Sequence, residues 1–180
     1  MTGPQPAAAL AEVFAAAGPR PELAERLAVF APLIGSWDLR VEDVAADGTV
    51  TVGDGEWHFG WALDGRALAD VWISPSRAAR AAGARDGEWG LSLRFWDEGL
   101  GRYRSTWHGP LRGWVIPFLA RPTDDGLVLE GERDGTRLRW VFSDLGATSF
   151  RWRAEEAEGG AGYRVRQRFT ATRRPADPAR

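Results

Sequence analysis

The spacing of hydrophobic residues along the chain changes once, near Ile34. Upstream of that residue, Leu23, Leu27 and Phe30 recur at intervals of three or four positions, which is typical of one face of a helix. An Ala-rich stretch at residues 7–17 could form a further helix, and the pattern leaves this open. Downstream, hydrophobic and polar residues alternate, which predicts half-buried β-strands. We therefore expect a nearly all-β chain with a short helical segment at its N-terminus.

About ten short strands follow from this alternation, and most are joined by tight turns. The pairs Asp47-Gly48, Asp64-Gly65 and Asp134-Gly135 are strong hairpin-turn signals. The longer connection at residues 74–87 could form a short helix and act as a lid or rim. The predicted strands cover, approximately, residues 36–44, 49–63, 66–73, 88–96, 103–109, 114–121, 127–133, 137–143, 149–155 and 163–173.

The short connections favour antiparallel pairing of consecutive strands, because parallel strands need long crossovers. Ten strands that each have one apolar face can form a sandwich or a closed barrel. We favour an antiparallel up-and-down β-barrel, since no connection is long enough for a Greek-key crossing and closure removes exposed edges. The expected organisation is an N-terminal arm at residues 1–21, a single barrel domain at 22–174 and a disordered tail at 175–180.

Composition and charge argue against several classes of protein. The 180 residues carry a formal net charge of −2, which argues against a nucleic-acid partner. No stretch approaches the roughly 18 apolar residues of a membrane span, and no signal peptide is recognisable. The sequence contains neither cysteine nor lysine, which excludes disulfides, thiolate metal sites and Schiff-base chemistry. We expect a cytoplasmic protein whose partners include neither nucleic acid nor membrane.

Tryptophan is unusually frequent, with 10 residues in the chain. Its side chain is large, amphipathic and well suited to strands. Two interpretations are open. The indoles could fill a wide barrel and support its ends, or they could line a cavity that holds an aromatic or apolar ligand. Both can hold in one molecule.

A short helix followed by Gly35-Ser36-Trp37 at the start of the first strand resembles the G-x-W signature of the calycin superfamily, which includes lipocalins and fatty-acid-binding proteins. The segment 61–72 also resembles uncharacterised bacterial families with such barrels. The resemblance covers most of the chain and implies a lipocalin-like β-barrel. It further implies that Trp37 packs across the closed end beneath an arginine of the last strand, either Arg168 or Arg173.

The resemblance carries no assigned activity, and the chain departs from the haem-binding barrels of this superfamily. Asp38-Leu39-Arg40 stands where their extended glycine pattern is expected. Their late histidine also has no counterpart, because the last histidine in this chain is His108. We therefore expect neither haem nor another cofactor.

Two histidines, His58 and His108, each follow a tryptophan on a predicted strand. If the aromatic row that contains Trp57 faces inward, His58 faces solvent. His108 precedes Gly109-Pro110 and is expected near a rim of the barrel, where an ordinary histidine pKa would suit general acid–base chemistry. Two histidines without cysteine offer too few convergent ligands for a metal site, so none is predicted.

Asp70 is the most unusual acidic residue, because it shares a strand face with Leu68 and Trp72. Burying a lone charge is costly, so an inward Asp70 should pair with an arginine, and Arg94 or Arg139 could reach it. One interpretation is a structural ion pair, and the other is a pair that fixes the polar end of a ligand. The predicted ligand-binding residues are Trp61, Asp70, Trp72, Arg94, Trp107, His108 and Arg139.

Three functions are compatible with these patterns. We favour a barrel that binds a small hydrophobic or aromatic molecule in its interior. The second is an enzyme on the same barrel, a cyclase, isomerase or hydrolase of an apolar metabolite, with His108 or Asp70 as acid or base. The third is a non-catalytic interaction or scaffold protein that forms a homodimer through an exposed Trp-rich sheet face. The pattern names no ligand and does not fix which strand face is the interior.

Overall fold

The computed structural model describes residues 6–175 of the chain. The predicted tail therefore falls outside the described residues except for Pro175. The N-terminal segment is helical from residue 6 onward. The segment predicted as one amphipathic helix around Leu27 is instead a single α-turn between two 3-10 segments. The elements before the barrel are α1 (Pro6–Phe14), β1 (Ala15–Ala16), a 3-10 turn (Pro21–Leu23), α2 (Ala24–Leu27) and a second 3-10 segment (Ala28–Leu33).

Ten longer strands form a closed antiparallel barrel, as the alternation predicted. Each strand pairs with the next along the chain, and the last strand pairs back with the first. The short strand β1 pairs with Ala62 and Trp61, at the C-terminal end of the second barrel strand. The barrel strands are β2 (Gly35–Val44), β3 (Val50–Ala62), β4 (Ala67–Ser74), β5 (Glu88–Asp97), β6 (Arg102–Gly109), β7 (Trp114–Thr123), β8 (Gly126–Arg133), β9 (Thr136–Ser143), β10 (Ser149–Ala157) and β11 (Arg164–Arg173).

The turns explain why the chain meanders. At the β8–β9 turn, Asp134 and Gly135 have φ values of 51° and 78°, which is the left-handed pair that a type I′ hairpin requires. The longer connection carries a short helix, α3 (Arg77–Ala81), as predicted. Arg77 binds the outward-facing Glu56 of β3, so α3 is held against the outside of the barrel.

One end of the barrel is closed by the N-terminal helical segment. Leu27, Phe30 and Leu33 are fully buried there. Trp37 is also fully buried, and its Nε1 donates to the carbonyl oxygen of Leu33 at 2.7 Å. The guanidinium carbon of Arg173 lies 4.1 Å from the centroid of the Trp37 ring, so Arg173 is the arginine that the resemblance implied.

The guanidinium of Arg173 also binds the main chain, donating to the carbonyl oxygens of Ile34 at 2.6 Å and Pro32 at 2.7 Å. It therefore joins the last strand to the helical cap. Arg168, the other candidate, instead pairs with the carboxylate of Glu42 on the outer surface.

Strand β5 is inverted relative to an ordinary amphipathic strand. Its inward residues include Glu88, Ser92 and Arg94, all nearly or fully buried. Its outward residues include Trp89 and Phe95, which are 51% and 36% exposed. The interior is therefore polar along this strand, and an apolar stripe faces away from the barrel.

Among residues 6–175, no helix has the length and apolar character needed to cross a membrane.

Candidate functional site

A cavity of about 230 Å³ occupies the end of the barrel opposite the helical cap. Its wall comes from the mouth ends of the strands, for example the last part of β2, the start of β5 and the start of β7. The aromatic lining consists of Trp57, Trp72, Trp107, Trp114, Trp140, Trp152 and Phe169. Leu138 and Ala154 complete the apolar wall, and the polar lining consists of Asp43, Glu88, Arg112, Arg133, Glu156, Arg166 and Gln167.

The aromatic side chains hold one another in place. Phe169 stacks on Trp152 with ring centroids 4.4 Å apart and on Trp72 with centroids 5.6 Å apart. Trp107 meets Trp72 and Trp140 edge to face, at 5.9 Å each. Offset and edge-to-face contacts of this kind each add about 0.5–1.5 kcal/mol beyond simple burial. They therefore hold the rings of the wall in fixed relative positions.

Gly90 makes room for one of these indoles. It lies on the inward face of β5, and a Cβ added there would stand 2.1 Å from Cη2 of Trp107. A glycine inside a strand often marks such a close approach. The position of Trp107 in the cavity wall therefore depends on the absence of a side chain at residue 90.

The charged groups at the rim are largely compensated. Arg133 and Arg166 both pair with Glu156, at 3.1 Å and 3.3 Å. The guanidinium carbons of Arg112 and Arg133 lie 4.9 Å and 3.9 Å from the ring centroid of Trp114. These contacts are cation–π interactions, which are favourable for an indole face.

Below the cavity, Asp70 and Arg94 form an ion pair with both side chains fully buried. Asp70 also accepts a hydrogen bond from Nε1 of Trp57, whose indole lines the cavity. Burial raises the pKa of the Asp70 carboxyl, and the charge of Arg94 and the hydrogen bond from Trp57 oppose that rise. Nε and Nη2 of Arg94 have no hydrogen-bond partner among the described residues. The ion pair therefore lies beneath the indole of Trp57 and holds it through the hydrogen bond from Nε1.

The structure separates the seven predicted ligand-binding residues. Trp72 and Trp107 line the cavity, whereas Asp70 and Arg94 lie beneath it. Trp61 pairs with Ala16 of β1, away from the mouth. Its ring packs against the hydrophobic core. The geometry thus assigns a lining position to two of these side chains, and their role in binding stays a prediction.

His108 and Arg139 lie on the outer face of the barrel. His108 alternates with the inward-facing Trp107 and bonds Thr106 at 3.3 Å. Arg139 pairs with Glu155 and not with Asp70, since it alternates with the inward-facing Trp140. The two-residue repeat of a strand turns both side chains away from the cavity. Neither side chain is part of the cavity lining, and the expectation that they contact a ligand stays a prediction that this orientation does not favour.

Apart from Trp72 and Trp107, the lining residues were not predicted as ligand-binding, and Glu88 is the most deeply buried carboxylate among them. Its carboxylate is part of the lining and the residue is 7% exposed. The available signal was its alternation with Gly90, Ser92 and Arg94, which places four polar or small residues on one face of a strand. An alternating strand normally turns such a face to solvent, which is why the signal was passed over.

A second hydrogen-bonded row lies outside the barrel, on β2 and β3. Oγ of Ser36 is 2.9 Å from Nδ1 of His58, whose Nε2 is 3.0 Å from Glu56. Glu56 is also bound by Arg77 and Arg174, each at 2.9 Å. The row is outside the cavity, and His58 has the outward orientation expected for it. The Glu56 carboxylate thus has three cationic or polar partners, His58, Arg77 and Arg174, which belong to different elements. We call these four residues the Glu56 clasp.

Comparison with known proteins adds evidence on the fold. No family model and no curated protein matches the sequence. The S-type phycobiliprotein lyase from Guillardia theta has a similar structure, with a TM-score of 0.54 and 10% sequence identity over 84% of this chain and 94% of that chain. The likeness is to the barrel of that protein. At this identity the likeness concerns the fold alone.

Proposed function

We propose that this calycin-like barrel binds a small aromatic or apolar molecule in the cavity at its mouth. The observation that carries the proposal is the convergence of six indoles and one phenyl ring on a single cavity of about 230 Å³. Ligand sites are typically concave and mostly apolar, with a few polar groups that fix orientation. The cavity has this composition, and its volume is somewhat below the ~300–1,000 Å³ of drug-sized sites. A ligand of one or two rings fits best.

A cavity-filling substitution tests this proposal. Ala154 lines the cavity and is partly buried, so Ala154→Phe places a ring in the space that the ligand would occupy. Ala78→Phe, at an exposed position on α3, is the matched control. Binding of naphthalene-type probes is measured by the quenching of tryptophan fluorescence. We expect the parent chain and Ala78→Phe to bind these probes with the same affinity. Ala154→Phe should bind them about tenfold more weakly, which corresponds to about 1.4 kcal/mol. Equal binding by all three proteins would contradict the proposal.

The enzymatic alternative needs a proton-transferring group in contact with the ligand. His108 faces outward and Asp70 lies beneath Trp57, so neither lines the cavity. The structurally similar protein from Guillardia theta is named a lyase, and at 10% identity the likeness concerns the fold and not a reaction. Glu88 is the nine-tenths-buried carboxylate within the cavity lining, and any acid–base chemistry on this barrel would start from it.

We also propose that a second copy of the chain covers the outer stripe of β5. This outer apolar face consists of two rows, Trp89, Leu91, Leu93 and Phe95 on β5 and Val115 and Leu119 on β7. The outward Arg104, Thr106 and His108 of β6 lie between the two rows. Val115 and Trp89 are 66% and 51% exposed. Protein–protein interfaces combine apolar and polar groups in this way, and one side of a standard dimer interface buries about 800 Å², so the face suits an isologous dimer.

A further inference from the structure

Glu88 is a buried carboxylate that the fold leaves without a cation. Its Oε1 accepts a hydrogen bond from the backbone N–H of Leu111 at 3.1 Å. The guanidinium of Arg80 binds the main-chain oxygen of Glu88 at 3.1 Å and pairs with Asp86. No ion pair to the Glu88 carboxylate is present among residues 6–175. Since buried charges in proteins are normally paired, the Glu88 carboxylate is left without the counter-ion that its burial calls for.

The carboxylate of Glu88 and the indole of Trp107 lie close together in the cavity lining. Gly109 permits this packing, because a Cβ added there would stand 3.0 Å from Oε2 of Glu88 and 2.8 Å from Nε1 of Trp107. A ligand group that reaches this part of the lining meets a carboxylate and an aromatic ring together.

Indole faces attract cations, and six indoles line this cavity. Trp114 already has two guanidinium groups of the protein over its ring, those of Arg112 and Arg133. Trp72, Trp107, Trp140 and Trp152 have no guanidinium over them among the described residues. These four rings and the carboxylate of Glu88 form a set suited to a cationic group with an apolar body.

We infer that the cavity takes an organic cation, an amine whose ammonium group pairs with Glu88 and whose ring or hydrocarbon body lies against the indoles. The inference rests on the proposed function and adds the charge of the ligand to it. The rim arginines do not oppose it strongly. Glu156 pairs with both Arg133 and Arg166, and Asp43 adds a second carboxylate to the lining. All three rim arginines are partly or fully exposed to solvent, whose screening weakens their repulsion.

Three probes of similar shape and different charge test the inference at neutral pH. These are naphthylmethylamine, which is cationic, naphthylmethanol, which is neutral, and naphthoate, which is anionic. The affinities are measured by tryptophan quenching and confirmed by calorimetry. We expect the amine to bind about tenfold or more tightly than the alcohol, because a hydrogen bond between charged groups in a buried site is worth at least that factor. Naphthoate should bind most weakly.

Glu88→Gln separates the role of charge from that of shape. Glutamine keeps the size of the side chain and an acceptor for the Leu111 N–H. We expect this variant to lose about tenfold in affinity for the amine and to keep its affinity for the alcohol within about twofold. Glu130→Gln removes one negative charge from an exposed position and should behave like the parent chain.

The outcomes distinguish the inference from the proposed function. Equal affinities of the parent chain for the amine and the alcohol, or a Glu88→Gln protein that binds the amine as tightly as the parent, would overturn the inference and leave a binding barrel. Failure of all three probes to bind would remove both. If Glu88→Gln does not fold, the order of the three affinities in the parent chain still decides the matter.

Discussion

At the scale of single residues, the interior of this barrel is organised around one ion pair. Asp70 and Arg94 lie on neighbouring strands, and the indole N–H of Trp57 donates to the same carboxylate. The sequence predicted that Asp70 would pair with an arginine if it faced inward, and Arg94 is that partner. The choice between Arg94 and Arg139 could not be made from the sequence, because it depends on which face of β5 and of β9 turns inward.

Substitution of one member of the pair should destabilise the protein strongly. We expect Asp70→Asn to lower the free energy of unfolding by about 3–5 kcal/mol, because it leaves the buried Arg94 charge without a counter-ion. The double variant Asp70→Leu with Arg94→Met removes both charges and should cost much less. Urea unfolding of the three proteins measures this. A double variant that is less stable than Asp70→Asn would show that the pair itself supplies the stability.

At the scale of elements, Glu56 joins three parts of the chain on the outside of the barrel. Its carboxylate binds Arg77 of α3, His58 of its own strand β3 and Arg174, which follows β11. The hydrogen bonds from Arg77 are the main reason why the pKa of Glu56 lies well below its ordinary value of 4.5. The helix in the connection at 74–87 was predicted from the sequence. Its position could not be predicted, because it depends on the contact with this carboxylate.

The lowered pKa gives the Glu56 clasp a pH dependence with a defined sign. Its stabilisation is fully present above the ordinary pKa of 4.5 and is lost as the pH falls further. We expect Glu56→Gln to cost about 1–3 kcal/mol at pH 7. As the pH is lowered from neutral to the acid range, the melting temperature should fall less steeply for Glu56→Gln than for the parent chain. Parallel curves would contradict the assignment, and Glu130→Gln serves as the control for surface charge.

At the scale of the whole molecule, two surfaces of the barrel differ in character. The mouth holds the aromatic cavity, and the outer apolar face lies on the sheet at β5–β7. Trp89 and Phe95 expose large rings there, while the same strand buries Glu88 and Arg94. This face carries one tryptophan, Trp89, and is therefore less Trp-rich than expected, and its pairing with a second copy is a proposal.

Light scattering tests that proposal directly. We expect the parent chain to have the mass of a dimer and the double variant Trp89→Glu with Val115→Glu to have the mass of a monomer, because two charges in each copy would face an apolar partner. Leu10→Glu alters an equally exposed residue on α1, outside this face, and should leave the mass unchanged. A parent chain that is monomeric over a wide concentration range would contradict the proposal.

The sequence alone determined the architecture, because alternation and turn chemistry are local properties. Asp134-Gly135 specifies its hairpin wherever it stands, and a chain of such hairpins pairs consecutive strands. Trp37 and its arginine at the closed end were likewise predicted from a short motif. The cavity was decided by the tertiary structure, because a one-residue change of register turns every side chain of a strand to the other face. Closure of the barrel turned Glu88 inward, and no pattern within β5 by itself determines that orientation.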